Sequence, residues 1–280
     1  MTLQSTAPAT APGPRLSVIV ITRNEAARLG TCLASVAFAD EIVVVDSGST
    51  DDTVAVARHF GARVVETADW PGFGPQKQRA LAAARGDWVL TLDADEWLDE
   101  RLAQAVQAVV AQPIGDGTPA AFVSARLSAF CRQWMRHGGW FPDPGIRLVQ
   151  RRRARFSDDL VHERLIVDGP RGRLPGLLLH DSIPTLADAI DKMNRYSSGR
   201  ARDLAARGRR GGLGRAVGHG LWAFVRTYVL RRGFLDGRLG FVLAVHNAET
   251  TYYRYLKLWL DGAGPRVLPP APDLRGGGRT

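Results

Sequence analysis

Cysteine is nearly absent: the 280 residues hold two, Cys32 and Cys131, far apart and in no CxxC pair. That excludes a disulfide framework or a cysteine-rich zinc site and fits reduced cytosolic thiols. No apolar run reaches the roughly 18–20 residues of a membrane-spanning helix. Met1 to Pro14 has neither the basic start nor the apolar centre of a secretory leader. Two phosphate-binding fingerprints are missing as well. Thr22-Arg23-Asn24-Glu25, after the first strand, has no glycine, and GxxxxGK(S/T) occurs nowhere. Acid is scarce in one half only. Residues 1–150 carry 13 Lys+Arg against 16 Asp+Glu, a net of −3, and residues 151–280 carry 24 against 12, a net of +12. A surface of that sign suits nucleic acid, anionic lipid head groups or a phosphorylated substrate, while scattered arginines also serve plain solubility.

What is present is an alternation of strands and helices. Leu16–Thr22, Glu41–Asp46, Ala62–Glu66 and the stretch ending at Asp93 read as strands. The spacing predicts helices from Asn24-Glu25 to about Val36, from the Ser47–Asp52 capping loop to Phe60, over Gln76–Ala84 and near Leu98–Ala111. That order means an α/β fold with a parallel sheet and right-handed crossovers. Ala120 to Phe130 reads as a further strand, and Arg147–Phe156 as a hairpin-like region carrying the Arg151–Arg155 run. From Pro184 the chain reads helical, with arginines among Trp222, Phe224, Tyr228, Phe241 and Trp259. The expected division is a core at 15–130, a second region at 131–183 and a helical extension at 184–262, with tails at 1–14 and 263–280.

The richest stretch is Trp88-Val89-Leu90-Thr91-Leu92-Asp93-Ala94-Asp95-Glu96. A buried strand runs into carboxylates one residue apart, and in extended backbone Asp93 and Asp95 point the same way. At the carboxyl edge of a parallel sheet such a pair can grip a divalent cation, or one already carried by phosphates. The same residues can also cap the next helix. Thr22 with Asn24, and Asp46, lie at the ends of neighbouring strands. With no glycine-rich loop to hold phosphate, a metal on Asp93 and Asp95 is the natural substitute.

Three segments together carry a family resemblance: Ser17–Glu25, Asp46-Ser47-Gly48-Ser49-Thr50-Asp51 and Leu92-Asp93-Ala94-Asp95-Glu96. They resemble family 2 glycosyltransferases of the GT-A fold across residues 15–130. Gly72–Gln78, Gly139-Trp140-Phe141-Pro142-Asp143, Arg147-Leu148 and Val161-His162-Glu163 are similar to a bacterial subgroup that builds the lipopolysaccharide core. The resemblance implies a GT-A-type, Rossmann-like, mostly parallel sheet with a C-terminal helical extension.

It also implies roles. Thr22, Asn24 and Glu25 would line the base and ribose pocket, and Asp46 would bind the nucleoside. Many relatives have a second acid where Ser47 stands. Lys77 would lie near the diphosphate, Asp93 would meet ribose or the metal, and Asp95 would ligate Mg²⁺ or Mn²⁺. Glu163 is the leading base and Asp143 the second. His162 would assist at the acceptor, and Trp140 would form either a sugar platform or aromatic packing. The expected activity is metal-dependent inverting transfer of a hexose, glucose first, from a nucleotide-sugar (a UDP-sugar) to a lipopolysaccharide-core or related glycolipid. A polyprenyl phosphate or a capsule or exopolysaccharide intermediate is the alternative acceptor. The expected place is the cytoplasm, peripheral on the anionic surface of the inner membrane. Nucleic acid is not an expected partner, because no helix-turn-helix, RRM or zinc pattern accompanies the arginines.

Overall fold

The computed structural model describes residues 15–157 and 164–261. They form two compact units, one of residues 15–136 and 140–184, the other of 137–139 and 185–261.

The first unit opens β1 (Leu16–Thr22), α1 (Ala26–Ala34), β2 (Glu41–Asp46), α2 (Thr53–His59), β3 (Arg63–Glu66), α3 (Phe73–Ala83), β4 (Trp88–Asp93), β5 (Glu96–Leu98) and α4 (Glu100–Ala111). It continues with β6 (Ala121–Phe130), β7 (Gln133–Trp134), β8 (Asp143–Gln150), β9 (Ala154–Phe156), β10 (Leu165–Val167) and β11 (Arg171–Ile183). Every residue of β1 is buried, because helices cover both sheet faces and alternate side chains feed two cores. Val18 and Val20 join Leu29, Leu33, Leu102 and Val106 on one side. Ile19 and Ile21 join Ala80, Leu81 and Val149 on the other. Each valine, leucine or isoleucine among them contributes about 1.5–3 kcal/mol of burial.

The main sheet runs β3-β2-β1-β4-β8-β6-β11-β5, with β7 beside β6. β1 to β4 form the expected parallel half. Beyond β4 the sheet is mixed: β8 is antiparallel to β4 and β6, β11 is parallel to β6, and β5 is antiparallel to β11. β9 and β10 make a separate antiparallel pair.

Several boundaries differ from the sequence reading. α3 starts at Phe73, not Gln76: Gly72 takes a left-handed φ of 107° ahead of it, and Pro75 sits in the first turn, where an N–H has no partner to lose. Arg151–Arg153 is a 3₁₀ turn, not a hairpin tip, and Arg151 Nε donates to the Gly86 carbonyl at 2.8 Å. β5 replaces the leading turn of the expected helix. α4 begins only at Glu100, with Asp99 accepting from Leu102 N–H at 2.7 Å.

The second unit holds α5 (Leu186–Ala206), α6 (Leu213–Val225) and α7 (Gly237–Leu260). A capping box opens α5: Thr185 Oγ1 accepts from Asp188 N–H, and Asp188 accepts in return from Thr185 N–H. α7 packs against both other helices. Ala216, Gly220 and Ala223 form the buried face of α6. A Cβ on Gly220 would lie 3.3 Å from Tyr252 Cβ and 3.4 Å from the Ala248 carbonyl, so a small residue is needed at that crossing. α6 runs on into a wider π turn at Arg226–Leu230, then a 3₁₀ turn at Gly233–Asp236. His137 closes onto that turn, its Nδ1 2.8 Å from Asp236 Oδ1. Among the described residues no helix is long and apolar enough to cross a membrane.

Candidate active site

Four parallel strands end at one edge, and two loops there are tied together by polar side chains. Thr22 donates its hydroxyl to Asp46 Oδ2 at 2.9 Å, and Ser49 donates its N–H to Oδ1 at 2.8 Å and its hydroxyl to Oδ2 at 2.5 Å. Asp46 is buried, so these donors stand in for water around its charge. Asn24 adopts a left-handed φ of 57°, which an Asn tolerates better than most side chains. Its Oδ1 accepts from Thr50 N–H, while its own N–H donates to Ser49 Oγ, both at 2.8 Å. Glu25 N–H donates to Thr53 Oγ1, and the Glu25 carboxylate holds Arg28 at 2.7 Å. Burial pushes the Glu25 carboxyl above its ordinary value, the nearby Asp95 and Asp51 charges add to that, and Arg28 opposes both. Asp51 bonds Thr53 and, at 3.2 Å, Ala26 N–H, joining the starts of α2 and α1. Gln76, fully buried, donates to both Ser47 and Thr67.

The expectation for Asp93 and Asp95 needs a correction. The backbone is not extended between them; Ala94 and Asp95 form a turn from β4 into β5, so alternation does not set their directions. The two carboxylates serve different partners. Asp93 Oδ1 pairs with Lys77 Nζ at 2.8 Å, and Oδ2 lies 3.9 Å from Arg147 Nη2. Burial would raise the Asp93 carboxyl, but the charges of Lys77 and Arg147 outweigh it and hold the acid well below the usual carboxylate range. Asp95 Oδ2 lies 3.4 Å from His180 Nε2 and 3.8 Å from Arg28 Nη1.

Glu96, one residue on, has no exposed surface. Its Oε1 takes Arg147 at 2.6 Å and Arg126 at 3.0 Å, and its Oε2 accepts from Asp93 N–H at 3.1 Å. Arg126 reaches on to Asp143 Oδ2 at 2.6 Å. Burial opposes the Arg147 charge, yet Glu96 and Asp93 more than compensate and raise its pKa further. Lys77, Asp93, Arg147, Glu96, Arg126 and Asp143 therefore form a row of alternating charge. Five of the six line a cavity of about 230 Å³; Glu96 lies behind it. Two buried polar atoms of that wall, Ser124 Oγ and Arg147 Nε, have no hydrogen-bond partner among the described residues. The charged and polar groups that line the cavity suit a polar ligand.

Among the described residues no three His, Cys, Asp or Glu side chains converge to hold a metal unaided. Asp95 with His180 is the pair that fits a cation whose other ligands are phosphate oxygens and water. β11 sets this pair: His180 stands opposite Glu96 in the β5–β11 register, and Asp181 N–H donates to the Asp95 carbonyl at 3.0 Å. His180 Nδ1 lies 3.0 Å from Ser128 Oγ. With the proton on Nδ1 and given to Ser128, Nε2 turns its lone pair toward Asp95, the arrangement a metal-binding imidazole requires.

The sequence-predicted residues are thus spread over several places, with Asp95 beside His180. Thr22, Asn24, Glu25 and Asp46 lie in the loop lattice, and Lys77, Asp93 and Asp143 around the cavity. Trp140 packs edge-on against buried Phe130, with ring centroids 5.8 Å apart. His162 and Glu163 lie outside the described residues. Sequence reading gave no role to Glu96, Arg126 or Arg147 and none at a metal to His180. Glu96 was hidden by its place next to the acidic pair, where it reads as helix-capping acid.

Comparison with known proteins settles the class. Residues 17–153 match the family model "Glycosyl transferase family 2". An uncharacterised glycosyltransferase of Rickettsia typhi is 31% identical over 87% of this chain and 86% of its own length. The chain belongs to glycosyltransferase family 2. The lipopolysaccharide core biosynthesis glycosyltransferase LpsC of Rhizobium meliloti is 29% identical, with 86% of this chain and 93% of LpsC covered. Among solved structures, the Pyrobaculum calidifontis mannosyltransferase, in complex with GDP-mannose and Mn²⁺, superposes with a TM-score of 0.50. It is 19% identical, with 93% and 91% of the two chains covered. The GT-A fold expected from the sequence is therefore the fold of this glycosyltransferase; in open α/β sheets generally, ligands bind at the carboxyl edge of the strands.

Proposed function

We propose that this glycosyltransferase moves a hexose, glucose first, from a UDP-sugar to a lipopolysaccharide-core or related glycolipid, at the cytoplasmic face of the inner membrane. The observation that carries the reading is the edge where Asp95 and His180 stand together beside a polar cavity walled by Lys77, Asp93 and Arg147. The similarity to LpsC along almost all of both chains supports the acceptor class.

Departure of a nucleoside diphosphate from an anomeric carbon leaves negative charge on the departing oxygen. Asp95 and His180 would hold Mg²⁺ or Mn²⁺, which would supply positive charge against the departing oxygen without a proton. Thr22, Asn24, Glu25 and Asp46 shape the nucleoside pocket. Lys77, held by Asp93, adds a fixed positive charge beside the diphosphate. The acceptor hydroxyl attacks the anomeric carbon from the face opposite the leaving group, its proton passes to a carboxylate, and the configuration inverts. We place that base at Glu163, with His162 beside it. Asp143, the other candidate, already commits Oδ2 to Arg126 through two donors, a bond that suits a positioned charge better than a proton acceptor. Trp140 supplies an apolar face for the acceptor sugar.

The test is release of nucleoside diphosphate from a panel of nucleotide-sugars, with and without a deacylated lipopolysaccharide core. Acceptor-stimulated release from a UDP-hexose is expected, and Glu163→Gln should cut turnover at least about a hundredfold while sparing donor binding. Full turnover in Glu163→Gln with loss in Asp143→Asn would move the base to Asp143. Transfer only to a polyprenyl phosphate would replace the acceptor.

A further inference from the structure

The helical unit carries an apolar face that none of its own elements cover. α6 turns Ala216, Gly220 and Ala223 inward. At 100° per residue, the positions on its far side are Val217, Leu221, Trp222 and Val225, exposed by 45%, 65%, 55% and 39%. The stripe continues through the π turn in Val229 and Leu230 and into the 3₁₀ turn in Phe234 and Leu235, each about half exposed. So much contiguous aliphatic and aromatic surface on a soluble unit marks an interaction face.

Charge decides what lies against it. Residues 207–240 contain eight arginines and a single acid, Asp236, and that acid is buried against His137. Arg215, Arg226, Arg231, Arg232 and Arg238 are exposed along the stripe, and none pairs with a carboxylate among the described residues. A second copy docked on this face would bring arginine against arginine. A nucleic acid would satisfy the arginines but leave the leucines, Trp222 and Phe234 in water. An anionic bilayer meets both needs, taking the apolar side chains to acyl depth and the guanidiniums to lipid phosphates.

We propose that the outer face of α6, with the Val229–Leu235 turn, is the surface by which this enzyme docks on anionic membrane. The inference rests on the membrane placement proposed above and assigns it to one face. No part of it crosses the bilayer.

The test is co-sedimentation of the full chain with large unilamellar vesicles of phosphatidylcholine alone, or with about a third phosphatidylglycerol. Binding is expected to be about tenfold or more tighter to the anionic vesicles and to weaken sharply with salt. Leu221→Ser with Trp222→Ser should lose most of that binding, as should Arg226→Gln with Arg238→Gln; melting temperature and nucleotide-sugar binding should not change. Vesicles with brominated acyl chains should quench tryptophan fluorescence in the unaltered protein, with that quenching largely lost in Trp222→Phe. No binding to either vesicle would remove both the membrane placement and this face. Binding unaffected by all three variants would leave the placement standing and remove the face. A lipid-free dimer abolished by Leu221→Ser with Trp222→Ser would assign the face to a second copy and overturn the proposal.

Discussion

Glu96 ties the end of β4 to β6 and β8. A carboxylate with no exposed surface survives only because two guanidiniums and the Asp93 N–H replace its water. Glu96→Ala should leave Arg126 and Arg147 poorly compensated and cost about 3–5 kcal/mol, read as a lower midpoint in urea unfolding. Glu41 makes a second prediction, this one in pH. Burial pushes its carboxyl up, but the Ser17 hydroxyl, the Arg85 N–H and Arg63 together bring it below its ordinary value of 4.5. A lowered folded value means its stabilisation is complete above the unfolded value and fades as pH falls through the folded one. Glu41→Gln should therefore lower the melting temperature at pH 7, and the gap to the unaltered protein should narrow toward pH 3. Lysine is also informative at this scale. The chain has three, Lys77, Lys192 and Lys257. Lys77 is buried on Asp93, and Lys257 donates to Asn194, Ser197 and Ser198. At both places a compact ammonium sits among oxygens, which suits lysine better than a planar guanidinium. Asp93 was singled out beforehand by its place at the end of a buried strand, and Lys77 through the family resemblance. A place for His180 beside Asp95 was not read, since it depends on register with a strand 84 residues earlier.

At the level of elements, β1 to β4 were readable because buried parallel strands announce themselves as short apolar runs bounded by capping loops. β5 is three residues long, too short for any period to show. β11 hides for another reason: Gly172, Pro175 and Gly176 interrupt it, and such residues argue against a strand from sequence alone. In the fold Pro175 and Gly176 fall in a register shift against β6, and Gly176, at φ 92°, passes so close that a Cβ would fall 2.3 Å from Leu102 N. Gly176→Ala should destabilise the unit and, by displacing β11, weaken donor binding at His180. α5 offers a milder test. Its capping box predicts that Thr185→Ala costs about 1 kcal/mol, measured by thermal or urea unfolding.

Across the whole chain, charge and chemistry divide in the same way. The near-neutral residues 1–150 build most of the sheet and gather charges into matched pairs at one edge. The basic residues 151–280 add β9 to β11 and then the helical unit, and keep most of their arginines exposed. The family resemblance read from three segments holds along most of the length of the relatives. The sugar and acceptor stay unnamed by such motifs, because the proposed donor site takes the part common to all nucleotide-sugars. The proposed binding of the donor through a divalent cation on Asp95 and His180 is checked by calorimetric titration of UDP in Mn²⁺ and in EDTA. Binding is expected with Mn²⁺, with a loss of at least about tenfold in EDTA and a matching loss in Asp95→Ala and in His180→Ala with the fold intact. UDP binding of equal strength in Mn²⁺ and EDTA, unchanged in both variants, would contradict it.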